Sequence, residues 1–420
     1  MARLEYIVFS PWREVITDGA MTWEPDKLAR SFKRLPQIFW KNGEGWAEVN
    51  DWALEKAAAS GIKLETVKAL MKHLYRFAGF LEQEGLDWRH FPIRKSERAL
   101  VRFRGNLLGK VSGGSLASST ARSCMRAVVQ FYRYAEAHEL ISPEAPMWRE
   151  RSVVLPFYDA AGFKRSLVRV TTDLSIPNRS RVGVRLEEGL LPLSEAHMTQ
   201  LLDFTSLGST EELHLMLTIG LFSGARVGTI STLRIENLEQ ACPDPYLSGF
   251  HLIRVGPGSG VATKFDVKGD LLIPSFLLTA LKSYAYSVER LQREAKAISE
   301  DRSRLLLTIR GRPYCGSSIN RLMTDLRRNA CRNGLNFMAT FKFHQTRATY
   351  GTWLMKLLLG VTTVPAAIEF VKNAMLHKDE SSTFKYIRFL EVSKGKEEAA
   401  AAFSEAFTGL RARDWNRSRA

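Results

Sequence analysis

The sequence predicts a mainly α protein of two domains, with a small antiparallel three-stranded sheet inside the second. Three observations lead there. A chain of 420 residues exceeds the size at which one hydrophobic core usually stops growing, so two cores are expected. Apolar residues recur with helical spacing over much of residues 41–141 and again after residue 190. Between residues 252 and 274 three short β-like runs are separated by Gly256-Pro257-Gly258-Ser259-Gly260 and Asp266-Val267-Lys268-Gly269, both with hairpin chemistry.

Taken in order, residues 1–40 are mixed in pattern, with Trp12, Trp23 and Trp40 among charged residues, and read as an N-terminal extension. Residues 41–141 form a helical domain. Val67, Leu70, Met71, Leu74, Phe77, Ala78 and Leu81 gather on one helical face, while Lys68, Lys72, His73 and Arg76 lie mostly around the other sides. Gly85 is placed to cap that helix. A second helix follows Gly113-Gly114-Ser115, with Ser118, Ser119 or Thr120 as its cap and Met125, Val128, Val129, Tyr132 and Ala135 inward. Its polar sides carry Arg122, Arg126 and Arg133. Residues 142–185, with Pro143, Pro146, Pro156 and Pro177 and no sustained period, read as a linker or partly ordered connection. The second domain spans residues 186–420 and opens with Ser194 capping a helix and Glu195 in its first turn. Its β-like runs are at 252–255, 261–265 and 270–274, and helical patterns resume from about 276.

The formal net charge of +16 and a pI near 9.7 set the partner class. A surplus of that size attracts polyanions, nucleic acid first and an anionic membrane surface second, against the bland alternative of a merely basic protein. Lys68, Lys72, Arg76, Arg122, Arg126 and Arg133 are the candidate contacts, and a solvated basic face is the competing reading. No signal-peptide pattern opens the chain and charges interrupt every apolar run, so a cytoplasmic, nucleoid-associated protein without membrane contact is expected. Cys124, Cys242, Cys315 and Cys331 lack CxxC spacing, which suggests reduced packing residues rather than a disulfide framework or a metal site.

The chemistry sits in the second half. Arg226 follows Phe222-Ser223-Gly224-Ala225 at the end of an apolar helix, and Gly224 allows a tight turn. A structural salt bridge is its plain alternative. His344 and Arg347 stand three residues apart and so on neighbouring positions of one helical face, where an ordinary surface pair is the alternative. His377 precedes Tyr386 by nine residues. Two guanidinium forks can hold both non-bridging oxygens of one phosphate, a geometry lysine cannot match. A tyrosine can then supply the attacking oxygen. With a pKa of about 10 only about one phenol in a thousand is ionised at neutral pH, so nearby cations or a proton acceptor are needed. An ordinary amphipathic-helix tyrosine is the alternative for Tyr386.

In this order the residues resemble the tyrosine recombinases, the phage-integrase type of site-specific DNA recombinase. The resemblance covers residues 190–390 and, more loosely, 45–141. It implies a helical core-binding domain that clamps one side of a duplex, followed by a catalytic domain whose set reads Arg226, Lys264, His344, Arg347, His377 and Tyr386. Lys264, on the second β-like run, is then the general acid for the leaving 5′-oxygen, with Lys268 as competitor. The reaction implied is cleavage and rejoining of double-stranded DNA through a 3′-phosphotyrosyl intermediate, by a homo-tetramer on two sites, with no cofactor and no metal. A topoisomerase IB-like relaxing enzyme and a catalytically inactive DNA-binding protein are the alternatives. An Ala-rich helix at 397–407, with Phe403 and Phe407 on one face, is similar to the family's C-terminal helix, whose docking in cis or in trans stays open. Arg411, Arg413, Arg417 and Arg419 read as a solvated basic tail. The chain departs from the family at Thr229, where an acid is usual, at Gln345-Thr346, and at Leu376, where glycine is common. The stretch between Arg347 and His377, with Pro365 inside it, is also longer than typical.

Overall fold

The computed structural model describes residues 1–17, 20–158, 164–177, 186 and 189–406. The chain divides into two compact units, Met1–Val182 and Gly183–Ala420.

The first unit begins with strands, in the residues that read from sequence as an N-terminal extension without assigned structure. β1 (Arg3–Phe9) pairs antiparallel with β4 (Phe32–Phe39), and β2 (Trp12–Thr17) with β3 (Ala20–Pro25). Phe32, Leu35 and Ile38 are buried in the same core as the helices. The Asn50 side chain accepts from the Ile38 amide at 2.8 Å and donates to its carbonyl at 3.0 Å, completing a strand edge from the first helix. The helices are α1 (Ala47–Ala58), α2 (Leu64–Glu84), α3 (Ala99–Ser112) and α4 (Ser118–Ala137). Gly85 ends α2 with φ 62°, as its sequence position requires. Ala117, not a serine or threonine, occupies the capping position of α4, which starts at Ser118. Trp46, Trp52, Phe77, Phe103, Phe131 and Tyr132 fill the centre. Burial of each large side chain contributes about 1.5–3 kcal/mol, so a core this aromatic suffices for four helices.

The segment read as a linker is also ordered in part. β5 (Glu150–Tyr158) and β6 (Lys164–Thr172) form a two-stranded ribbon, and Leu174 and Ile176 beyond it return to the core of the first unit.

The second unit is mostly helical: α5 (Glu195–Gly208), α6 (Glu211–Ser223), α7 (Val227–Ile230) and α8 (Ile235–Glu239) precede the sheet. Ser194 caps α5 by accepting the His197 amide. α6 is apolar nearly all round and nearly all buried, the pattern of a central helix. The sheet is β7 (Cys242–Pro243), β8 (Phe250–Val255) and β9 (Gly269–Pro274) in that order. It has the expected three strands, but the run at 261–265 is not one of them. Val261 makes only an isolated bridge to Gly256, and the short β7 supplies the third strand by pairing Cys242 with Leu252. There follow α9 (Ser275–Ala285), α10 (Val288–Glu294), α11 (Gly316–Arg332), α12 (Gln345–Val361), α13 (Val364–Ala374) and α14 (Glu380–Ala406). The expected helix at 397–407 is the continuation of α14 as far as Ala406, and the arginines of the tail lie outside the described residues. Cys124 is buried and Cys331 half-buried, but Cys242 and Cys315 are exposed and so are not the packing residues expected of them. Among the described residues no helix is long and apolar enough to cross a membrane.

Candidate functional site

α6 ends at Gly224 with φ 64°, and the chain turns so that Arg226 takes the capping position of α7. The turn is closed from outside: a β-carbon at Gly224 would collide with the Tyr350 ring, so the residue must be glycine for packing as well as for φ. Thr229, in place of the acid the resemblance leads one to expect, is buried on α7.

His344 is half-buried at the capping position of α12, with Arg347 one turn inside the helix. Arg347 is only 2% exposed, and its guanidinium donates to the Gly224 carbonyl at 2.6 Å and the Met375 carbonyl at 2.5 Å. It therefore ties the turn carrying Arg226 to the end of α13. There the Leu376 amide donates to Asn373 and the His377 amide to Lys372, closing α13. Leu376 takes φ 51°, a left-handed conformation that a glycine reaches without strain, and its side chain packs over Gly269, where a β-carbon would meet it at 2.5 Å. The Leu376 side chain is accommodated by the glycine at 269.

His377 is 6% exposed, with Nδ1 within 2.9 Å of Thr383 Oγ1 on α14. One turn further, Tyr386 is 1% exposed, and its ring stacks on that of His377 with centroids 6.1 Å apart. Tyr386 also lies against Gly351 of α12, where a β-carbon would approach its ring to 2.6 Å.

Lys264 is not on a strand. It begins a 3₁₀ turn, Lys264–Asp266, in which Phe265 and Asp266 both have positive φ, at 63° and 53°. Two consecutive left-handed non-glycine residues are a strained arrangement of the kind that collects at functional loops. Lys264 is exposed, with Nζ 5.3 Å from the centroid of the Phe265 ring.

Arg226, Lys264 and His377 line one cavity of about 200 Å³, together with Phe265, Leu376, Lys378, Asp379, Ser382 and Lys385. Three of the six expected residues thus meet in one space, the buried Tyr386 stacks on the lining His377, and the buried Arg347 bonds the carbonyls of Gly224 and Met375, which are near Arg226 and Leu376 in the chain. His344 is not among the lining residues. Lys378 and Lys385 were not singled out from sequence, although each directly neighbours a residue that was. Its basic side chains, Arg226, Lys264, Lys378 and Lys385, outnumber the single carboxylate, Asp379, so the cavity suits an anion. Of the six helical residues expected at a polyanion, Lys72, Arg76, Arg122 and Arg126 are exposed, Lys68 pairs with Glu65 at 2.6 Å and Arg133 with Glu150 at 3.0 Å. Among the described residues no group of three histidine, cysteine, aspartate or glutamate side chains is arranged to hold a metal ion.

No protein-family model matches the sequence. No curated protein matches it either. Solved structures do. Two complexes of the Tn1549 transposon integrase with circular intermediate DNA superpose with TM-scores of 0.50 and 0.51 at 14% identity, covering 81% and 83% of this chain and 94% and 98% of the integrase chains. A dimer of lambda integrase bound to a COC′ core site is more distant, with a TM-score of 0.47 at 13% identity over 89% of this chain and 98% of that one. The chain has the fold of the tyrosine recombinases.

Proposed function

We propose that the protein is a site-specific DNA recombinase that cleaves and rejoins strands through a 3′-phosphotyrosyl intermediate. The observation that carries this reading is the electropositive cavity of Arg226, Lys264 and His377, with the Tyr386 ring stacked on the histidine that lines it. The solved integrases of this fold are bound to DNA, which supports duplex DNA as the substrate here.

In the reaction, the Tyr386 oxygen forms a bond to phosphorus as the bond from phosphorus to the 5′-oxygen breaks. The phenol proton passes to His344, and Lys264 protonates the departing 5′-oxygen. Arg226 and Arg347 stabilise the charge that develops on the non-bridging oxygens, a contribution typically worth 10²–10³ in rate per donor. A 5′-hydroxyl from a partner duplex reverses the step, so no external energy source is consumed. At 1% exposure the Tyr386 hydroxyl is covered, so DNA binding has to shift α14 before attack. Residues 41–141 clamp the duplex through Lys72, Arg76, Arg122 and Arg126, and four copies act on two sites.

The test uses nicked suicide duplexes drawn from the DNA that flanks the gene. The wild type should accumulate a covalent adduct that resists denaturant and maps to the peptide containing Tyr386. Tyr386→Phe, which removes one oxygen and keeps the ring, should bind the same DNA and form none. Adduct in the Phe variant would move the nucleophile elsewhere. Tight binding without adduct by the wild type would leave a DNA-binding protein, and relaxation of supercoils without joining of two sites a topoisomerase.

A further inference from the structure

The described residues of the β5–β6 ribbon carry exposed apolar side chains on both faces. Val153, Val154, Leu167, Val168 and Val170 are exposed, Val154 at 58% and Val168 at 62%. Successive residues of a strand point to opposite faces, so Val153 and Val154 together show that both sides face solvent. A two-stranded ribbon alone is at best marginal in water, and exposed apolar surface of this kind marks contact with another molecule.

The root of the ribbon is fixed. Met147 before it and Leu174 and Ile176 after it are buried in the core of the first unit. The Asp173 carboxylate accepts from the Arg149 amide at 3.1 Å and pairs with Lys95 at 2.6 Å. Burial works to raise that carboxyl, but the bonds from Lys95 and Arg149 outweigh it and hold Asp173 below the usual carboxylate range. Glu150 at the first position of β5 pairs with Arg133 of α4. The ribbon is therefore a positioned arm whose surface is held out from the helices.

Its charge identifies the occupant. Among the described side chains the strands carry the exposed Arg151 and Arg169 against one acid, Glu150, which is engaged with Arg133. In the register Arg151 faces Thr171 and Arg169 faces Val153, which makes the two arginines diagonal neighbours on one face, roughly 7–8 Å apart. Apolar docking to another protein would not call for that pair, whereas a phosphate backbone would. We propose that the β5–β6 ribbon enters a groove of duplex DNA, with Arg151 and Arg169 on phosphates and the exposed valines against sugars and thymine methyls. A two-stranded ribbon fits the major groove. The inference rests on the recombinase reading and adds to the helical face a second grip within the same unit.

The experiment measures binding of the full chain to a random-sequence duplex by fluorescence anisotropy over a range of salt. Each phosphate contact contributes about 0.9 to the slope of log K against log salt. The Arg151→Gln/Arg169→Gln variant should therefore lose about 1.8 from the slope, which is about 60-fold weaker binding at 0.1 M salt for curves that meet at 1 M. Val154→Ser/Val168→Ser should keep the slope and weaken binding only a few-fold. Circular dichroism checks that both variants fold. An unchanged slope in the arginine variant overturns the role of the ribbon and leaves the recombinase reading standing. A wild type that fails to bind any duplex overturns both. If the valine variant instead dissolves oligomers of the DNA-free protein in sedimentation while the arginine variant keeps its slope, the ribbon is a protein contact and the proposal is wrong.

Discussion

Arg290 and Arg347 are both buried in the second unit, at 0% and 2% exposure, yet the structure accommodates them in different ways. Arg290 finds its acid one turn away on α10, pairing with Glu294, and donates to the carbonyls of Arg302 and, at 2.7 Å, Arg304. Close by, the buried Glu212 pairs with Arg293 and accepts from the Tyr284 hydroxyl at 2.6 Å. Burial and the neighbouring Glu212 carboxylate push the Tyr314 phenol up to about 12, and burial with the hydrogen bond to Glu212 raises Tyr284 further. Cation and anion are both supplied by the fold. Arg347 instead bonds two carbonyls and braces a cavity in which four basic side chains meet one carboxylate. A buried charge is tolerated when it is paired, and each arginine is held by partners the fold supplies, an acid and carbonyls for Arg290 and backbone carbonyls for Arg347.

This contrast predicts a graded series. The largest loss of stability belongs to Arg290→Met, which leaves Glu294 and two carbonyls without their donor. Chemical denaturation should show about 1–3 kcal/mol lost for each of the two carbonyls left unsatisfied, the half-exposed Glu294 adding little. A shift below about 1 kcal/mol would mean that Arg290 is held less tightly than its contacts suggest.

Arg347→Lys comes next, with about 1–3 kcal/mol for a carbonyl left unsatisfied and a further 10²–10³ off single-turnover cleavage. Cleavage at the wild-type rate per folded molecule would make Arg347 a second Arg290, a structural cation. Gly351→Ala probes the wall behind Tyr386. Within a helix this change would normally add about 1 kcal/mol of stability, whereas a β-carbon pressed against Met375 and the Tyr386 ring should cost about 1–3 kcal/mol. A net gain by thermal melting would show that the ring yields readily.

Lys264→Gln should change stability least, within about 0.5 kcal/mol, because the residue is exposed. Cleavage should nevertheless fall by about 10²–10⁴ and recover on a substrate whose 5′-oxygen is replaced by sulfur, a leaving group that needs no proton. Failure of the sulfur substrate to recover would return the acid role to Lys268.

Several of these features were legible because they depend on residues close in sequence. Gly85 and Gly224 take the left-handed conformations their positions call for, and Ser194 caps the helix it begins. The strands of the first unit were hidden by a register irregularity between Ile7 and Phe9. Phe32 and Leu35 consequently fall three apart, and in the regular part of β4 Leu35, Pro36 and Ile38 are all buried, so the run does not alternate. The third strand of the sheet was hidden for another reason: Cys242–Pro243 is two residues long and is a strand only through its bonds to β8. Arg290 escaped notice because nothing in Val288–Glu294 distinguishes a buried arginine from a surface one.

The sequence by itself determined the mainly helical class, the strong positive charge, the order of arginine, histidine and tyrosine along the second half, and the turns that glycine permits. These follow from periodicity, composition and local conformational preference, which act over a few residues. The tertiary structure alone decided that Arg347 would face two carbonyls, that Leu376 would be strained over Gly269, that Lys264 would leave the sheet for a 3₁₀ turn, and that Tyr386 would be covered. Each depends on partners far away in the chain, and such contacts form only when the loops between them close and the core packs.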